Sequence, residues 1–411
     1  MMKIKVAVLF GGKSAEHDIS IISAIQAMGN LSADKYSVFP IYISKDGEFF
    51  YGDEIGLIES YRDIPSLLSR SRRVSLVRKC NGTHLIYLDK HPRRAEISEI
   101  DVALPIVHGT NVEDGTLQGY LRLLGLPFAG CDVTASAVGM DKYISKILLR
   151  EQGFTVLDCV KLSNNEYSSD KDSALTSIED KIGYPVIVKP INCGSSIGIS
   201  KAKDRDELIE ALEDAFNYAE NIIAERAITA LREINCSVLG DAEGAEASEC
   251  EEPISEDDIL SFKDKYLGSG NGSAKGGAKG GVKGAKTASE GMASLKRVIP
   301  AEISAEMRED IRSTAVNIFK ALGCSGVARI DFMLDTETNT VYFNEINTIP
   351  GSLSFYLWSP VGVKYPELLD RMISLALRRH RKEAALTYTF ESSVLSGISL
   401  AGAKGAKGSK I

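Results

Sequence analysis

The stretch IKVAVLFGG, residues 4–12, constrains the fold more than any other segment, because it is a β-branched apolar run closed by a glycine turn. SAEHDISIISAIQAMGNL continues it at helical spacing, so the chain opens as strand, loop and helix, the first unit of a doubly wound α/β domain. YSVFPIYIS and DVALPIVHG supply two further strands, and EDGTLQGYLRLLGLPFAG reads as a helix leading to another strand. Residues 1–136 therefore form one expected domain.

From DKYISKILLREQGF onward the pattern is helix, then YPVIVKP, a strand with a lysine at its end. An acidic amphipathic helix, DRDELIEALEDAFNYA, precedes the strands NIIAERAI and REINCSVLG. AEMREDIRSTAVNIFKALG is a long helix, and GVARIDFMLDTETNTVYFNEIN has the alternation and turn chemistry of a hairpin. Before that helix lies KYLGSGNGSAKGGAKGGVKGAK, a glycine, alanine and lysine run without apolar period, and the same composition returns in the tail SLAGAKGAKGSKI. The tail, within residues 384–411, is expected to be disordered at its end.

A formal net charge of -8 argues against nucleic acid or anionic membrane as main partner, since both call for a basic surface. No apolar stretch approaches bilayer length, and the N-terminus is too strand-like for a signal peptide. Seven scattered cysteines without a CxxC read as reduced thiols of a cytoplasmic protein.

The hairpin carries the chemistry. Strand alternation puts Arg329, Asp331 and Met333 on one face, and Glu345 and Asn347 on one face of the return strand. Two carboxylates and an amide oxygen beside an arginine are hard donors that suit Mg²⁺ shared with phosphates. The alternative is a solvated polar face, which leaves NTIPG unexplained, where Gly351 can bring backbone N–H groups to an anion. Upstream, Lys189 ends an apolar strand before the small-residue loop Gly194 to Gly198, a phosphate-binding arrangement. GGKS at residues 11–14 is no P-loop, because the position of its first glycine is Ala7.

In this order VLFGGKSAEHDIS, HGTNVEDGTLQG, LPFAGCDVTASAVGMDK, VIVKPINCGSSIGIS, FKDKYL, ARIDFML and NEINTIPG resemble the D-alanine–D-alanine ligases of the ATP-grasp superfamily. The likeness covers residues 4 to about 380 and implies an N-terminal doubly wound α/β domain followed by a two-part ATP-grasp fold. Its parts would be a substrate domain (1–136), a central subdomain (137–222) and a C-terminal subdomain (223–383) with a lid insert at 268–296.

The resemblance implies that Lys142, Lys189, Ser196 and Lys265 contact ATP phosphates, with Glu225 at the adenine edge and Glu233 at the ribose. Asp331, Glu345 and Asn347 would hold two Mg²⁺ (or Mn²⁺) ions. Glu16 would pair with the ammonium of the first D-amino acid, with Ser195 and Tyr266 hydrogen-bonded to it, and His108 would lie near the reacting carboxylate. Arg329 and the Gly351 amide would stabilise an oxyanion. The implied reaction is ligation of two D-alanine molecules through an acyl phosphate, in a cytoplasmic enzyme of a family where homodimers are common. The lid follows the Lys265–Tyr266 pair, so the glycine-rich run reads as a lid extension, whose length costs little because closure entropy grows logarithmically. One position departs from the family: five residues after Gly351 stands Tyr356 where a serine is usual, with Ser354 nearby as a substitute. D-Alanyl-D-serine or D-alanyl-D-lactate ligation, or another ATP-grasp carboxylate–amine ligation, is the alternative. A non-catalytic ATP binder is disfavoured, because Arg329, Asp331 and Glu345 are all present.

Overall fold

The structure, a computed structural model, describes residues 3–91, 95–254 and 297–389. Among these residues there are three sheets. The first follows from the opening run: β1 (Ile4–Gly11) is buried on both faces and pairs in parallel with β2 (Tyr36–Ile43) and with β7 (Val102–Val107). Between these come β3 (Phe49–Tyr51), β4 (Arg72–Lys79), β5 (Gly82–Tyr87) and β6 (Glu96–Ile100), an antiparallel extension giving the order β6-β5-β4-β3-β2-β1-β7. The strand expected after the helix Thr116–Leu123 is reduced to one parallel bridge, Ala103 with Phe128. Gly125 follows that helix in the left-handed region, with a φ of 63°.

The second sheet has the order β10-β9-β11-β8, from β8 (Cys159–Ser163), β9 (Val186–Pro190), β10 (Ser200–Ala202) and β11 (Asn221–Arg226). Alternation divides its residues. Val186, Val188, Ile222 and Ala224 enter the core with the helices Lys171–Ile182 and Arg205–Ala215, which leaves Ile187, Lys189, Ile223 and Glu225 on the opposite face.

The third sheet has the order β14-β13-β12-β15-β16, from β12 (Leu231–Gly240), β13 (Ala245–Pro253), β14 (Arg297–Val298), β15 (Gly326–Asp335) and β16 (Thr340–Asn347). One face packs on the helix Ala305–Ala321 through Ile311, Ala315, Ile318 and Phe319. The last described helix, Tyr365–Ala384, returns to the first core, where Leu369, Met372 and Ile373 join Ile21 and Ala24. Asp370 on that helix receives Lys35 Nζ at 2.5 Å and the Tyr36 hydroxyl at 2.8 Å. Among the described residues no helix is long and apolar enough to cross a membrane.

Candidate active site

The free face of the third sheet organises the site. In register, Glu251, Asn235, Asp331 and Glu345 form one row across β13, β12, β15 and β16. Glu233 lies opposite Met333 and Arg329 opposite Asn347, each two residues along a strand, so they present side chains on the same face about 7 Å away. The hairpin is not regular. A bulge between Asp331 and Phe332 leaves Asn344 unmatched, and its side chain joins that of Glu345 in lining the cavity between the second and third sheets.

Charges on this face are paired. The Arg329 guanidinium donates to both oxygens of Asp331, at 2.6 and 2.7 Å, and Asn347 Nδ2 adds a third bond at 3.0 Å. Burial pulls the Arg329 pKa down, and Asp331 outweighs it, so the guanidinium stays charged. Glu345 receives Lys142 Nζ at 2.9 Å, and that ammonium also donates to the Cys193 carbonyl at 2.7 Å. Lys142 opens a helix whose cap, Asp141, accepts from the N–H groups of Tyr143 and Ile144 at 2.9 Å, which fixes the first turn and the start of the lysine.

Across the cavity, Glu225 lies between the ammonium groups of Lys189 and Lys146, which bond one oxygen each. Burial pushes its pKa up, and the two lysines outweigh that to bring it to about 2. Both carboxylate oxygens are thus committed, and toward the cavity Glu225 is accompanied by the backbone and apolar groups of Ile187, Ala227, Ile228 and Leu231. Lys189 also donates to Asn344 Oδ1 at 3.1 Å. The cavity therefore has an apolar end and an end lined by Lys142, Lys189, Asn344 and Glu345, and Ser196 and Glu233 also line it.

A second, smaller cleft shares the wall Lys142, Cys193 and Glu345 and contains Glu16. Glu16 occupies the cap position of the helix His17–Asn30 without capping it, and its carboxylate accepts a hydrogen bond from the Ser195 hydroxyl instead. Two glycines box it in: a Cβ at Gly194 would lie 2.8 Å from Glu16 Oε2, and one at Gly109 would lie 2.9 Å away. Ser195 and Ser196 adopt positive φ values of 55° and 58°, a conformation unusual outside glycine and stored where the loop turns over the site.

His108 is fully enclosed. Its Nδ1 faces the Ile349 carbonyl at 2.8 Å and must donate, so Nε2 accepts from the Ser23 hydroxyl at 3.2 Å. Burial lowers its pKa, which keeps the ring neutral. Beside it Glu113, missed by the sequence reading, accepts from the Gly109 N–H at 3.0 Å and the Ile349 N–H at 2.8 Å. Burial, then the charge of Glu16, pushes Glu113 up to about 7.

The segment after Gly351 is strained: Ser352, Leu353 and Ser354 have φ values of 51°, 52° and 50°. Ser352 anchors it to the first helix through Ser23 and Gln26. Ser354 is fully buried, and its hydroxyl has no hydrogen-bond partner. Tyr356 instead sits beside the sheet, with its hydroxyl 3.2 Å from Glu251 and Arg297 stacked over its ring at 4.0 Å. Lys265 and Tyr266, with the insert 268–296 and the tail from 390, lie outside the described residues. Asn344 and Lys146 were also missed. A bulge has no compositional signal, and a helical lysine reads as solvated until a buried acid is found beside it.

Among the described residues no three His, Cys, Asp or Glu side chains gather closely enough to hold a metal alone. Two carboxylates on adjacent strands with amides beside them are the donor set of a hard cation that completes its shell with substrate oxygens, so the residues present fit Mg²⁺.

Comparison with known proteins places this geometry. The N-terminal family model of D-ala D-ala ligase matches residues 5–131, and the C-terminal one matches residues 148–290 and 285–374. A D-alanine–D-alanine ligase of Caldicellulosiruptor bescii is 40% identical over 95% of this chain and 100% of its own length. One from Geobacillus thermodenitrificans is 38% identical over 95% and 100%. Among solved structures, the D-alanine-D-alanine ligase from Coxiella burnetii superposes with a TM-score of 0.75 at 29% identity, covering 93% of this chain and 97% of that one. The VanG D-Ala:D-Ser ligase from Enterococcus faecalis does so with a TM-score of 0.73 at 30% identity, covering 91% and 100%. With both family models matched and relatives covered end to end, the chain belongs to the D-alanine–D-alanine ligase family.

Proposed function

We propose that this chain is an ATP-dependent ligase that joins two D-alanine molecules into D-alanyl-D-alanine for peptidoglycan precursor synthesis, releasing ADP and phosphate. One observation carries the reading: two clefts meet at Lys142 and Glu345, one with an apolar end and a lysine-lined end, the other walled by Glu16. ATP fits the first, its base against Ile187, Ile228 and Leu231 and its phosphates toward Lys142, Lys189 and the Ser196 loop. Glu233, which lines the same cavity, is assigned to the ribose. The first D-alanine fits the second cleft, its ammonium on Glu16.

A carboxylate is a poor electrophile, and phosphorylation converts it into an acyl phosphate that an amine can attack. Positioning and charge neutralisation supply most of that first step, which is the task assigned to Lys142 and Lys189. Asp331, Glu345 and Asn347 would hold two Mg²⁺ (or Mn²⁺) ions, which neutralise phosphate charge when bound. Arg329 and the Gly351 amide are assigned to the oxyanion of the second step, where preorganised donors contribute a few kcal/mol. His108 and Glu113 fix the loop that carries Gly351. Acyl phosphates hydrolyse in water, so closure by the segment bearing Lys265 and Tyr266 is part of the proposal. A homodimer, read by light scattering, is part of it too.

The test is phosphate release from ATP and Mg²⁺ with D-alanine alone, followed by mass spectrometry of the product. D-Alanyl-D-alanine supports the reading, and no release with D-alanine sinks it. The second reading, D-serine as nucleophile, is favoured by the likeness to a D-Ala:D-Ser ligase. A product ending in D-serine from mixed substrates would decide for it.

A further inference from the structure

The loop that carries Glu16 joins β1 to the first helix, and its start is tied down by close packing. Gly12 has a φ of 97°, and a Cβ there would lie 2.6 Å from Val112 Cγ1, so only glycine fits. The Gly12 N–H donates to the Ile43 carbonyl at 2.8 Å. In the middle of the loop the Ser14 hydroxyl donates to the His108 carbonyl at 2.6 Å and accepts from the Glu16 N–H at 3.2 Å. These bonds hold the backbone on one side, toward β2 and the loop after β7.

His17, 1% exposed, closes the loop from its other end. Its Nδ1 lies 2.6 Å from the Gly12 carbonyl oxygen and its Nε2 lies 2.9 Å from the Tyr42 hydroxyl. A carbonyl only accepts, so Nδ1 carries the proton and Nε2 accepts from the tyrosine. The surroundings agree with that assignment. Burial lowers the His17 pKa and keeps the ring neutral, while burial and then the charge of Asp18 push Tyr42 up to about 12, so its hydroxyl retains the proton it donates. Tyr42 is itself buried, its ring 6.0 Å from that of Phe10 and 5.3 Å from that of Tyr61. The imidazole thus spans the loop from residue 12 to residue 17 and rests on an aromatic cluster, and it lines neither of the two clefts.

We propose that His17 is the positioning residue for Glu16: its bond to the Gly12 carbonyl closes the loop and sets where the carboxylate stands between Gly109, Gly194 and Ser195, with Tyr42 holding the ring in place. This rests on the ligase reading above, in which Glu16 receives the substrate ammonium. A shift of about 1 Å in a group that orients a substrate is enough to weaken its grip strongly. The nucleotide cavity lies beyond the wall of Lys142 and Glu345, so loosening the loop should be felt by the amino acid and not by ATP.

The experiment uses the full chain and follows phosphate release, varying D-alanine at saturating ATP and Mg²⁺ and then ATP at saturating D-alanine. His17→Asn puts an amide N–H near the Nδ1 position and keeps the Gly12 bond, whereas His17→Gln reaches the Nε2 position and keeps only the Tyr42 bond. His17→Gln should raise the D-alanine KM about tenfold and His17→Asn by less than about threefold, with the ATP KM within about twofold of wild type in both. Tyr42→Phe, which frees the ring without breaking the loop bond, should raise the D-alanine KM by about twofold to threefold. A smaller folded fraction lowers the apparent kcat and leaves both KM values where they were, so misfolding does not imitate this pattern. Equal D-alanine KM values in the two His17 variants, or parallel rises of both KM values, overturn the proposal. A wild-type enzyme that makes no dipeptide from D-alanine overturns the ligase reading instead, so the two failures are distinct.

Discussion

Glu225→Gln tests the buried triad of the nucleotide cavity most directly. The carboxylate, 1% exposed, takes one ammonium on each oxygen, and its pKa falls from 4.5 to about 2. At about 1.4 kcal/mol per pH unit, ionised Glu225 contributes roughly 3 kcal/mol of stability at neutral pH. Because the folded pKa is the lower one, this contribution is complete above pH 4.5 and is lost as pH falls toward about 2. The glutamine keeps the shape and removes the charge, leaving Lys146 and Lys189 with like charges side by side in a buried site. Breaking a buried pair from one side costs about 3–5 kcal/mol. The expected result is a loss of that size in urea unfolding at pH 7, followed by far-ultraviolet circular dichroism, with a flatter acid limb than wild type between pH 5 and about 2. The double variant with Lys146→Met should recover part of the loss, because it removes the charge that lacks a partner. A single variant within about 1 kcal/mol of wild type at pH 7, with the same acid limb, would refute the argument.

Asp331→Asn should reduce phosphate release with saturating D-alanine to below about 1% of wild type, since it strips a carboxylate from the face assigned to the cations; near-normal turnover would remove that assignment. Gly194→Ala should raise the KM for the first D-alanine about tenfold, because its Cβ would stand 2.8 Å from Glu16 Oε2 and displace the carboxylate. A greater effect on the ATP KM would contradict this. Glu113→Gln leaves one of two buried N–H donors facing an amide N–H, and should cost about 1–3 kcal/mol in thermal or urea unfolding. Its acid is raised from 4.5 to about 7, so wild-type stability is fully present below pH 4.5 and declines toward pH 7. The variant should lack that slope.

Some of this architecture could be read directly from residue order. The apolar run of β1 and the helical period behind it specify a parallel, covered strand, and the alternation RIDFML with VYFNEIN specifies a hairpin with Arg329, Asp331 and Glu345 on one side. Such local periods suffice because a strand or helix that violates them buries charge. Of the antiparallel strands over residues 49–100, β3 and β6 are short and β4 carries three arginines, so their period does not separate them clearly from loop until β2 offers an edge to pair with.

The row from Glu251 to Glu345 depends on register between strands far apart in sequence, and Asn344 reaches the cavity only through a bulge. Lys146, Glu225 and Lys189 come from one helix and two strands, and each alone reads as a surface charge. Their low exposure and their pairing arise only when the second sheet packs against that helix. Sequence alone therefore determined the elements with a clear period and which residue types are available for phosphate and cation chemistry, because propensity and alternation are local. Which charges neutralise one another, and that Tyr356 faces Arg297 and Glu251 while Ser354 is buried, were decided by tertiary packing, since electrostatic partners are chosen by distance through space and not along the chain.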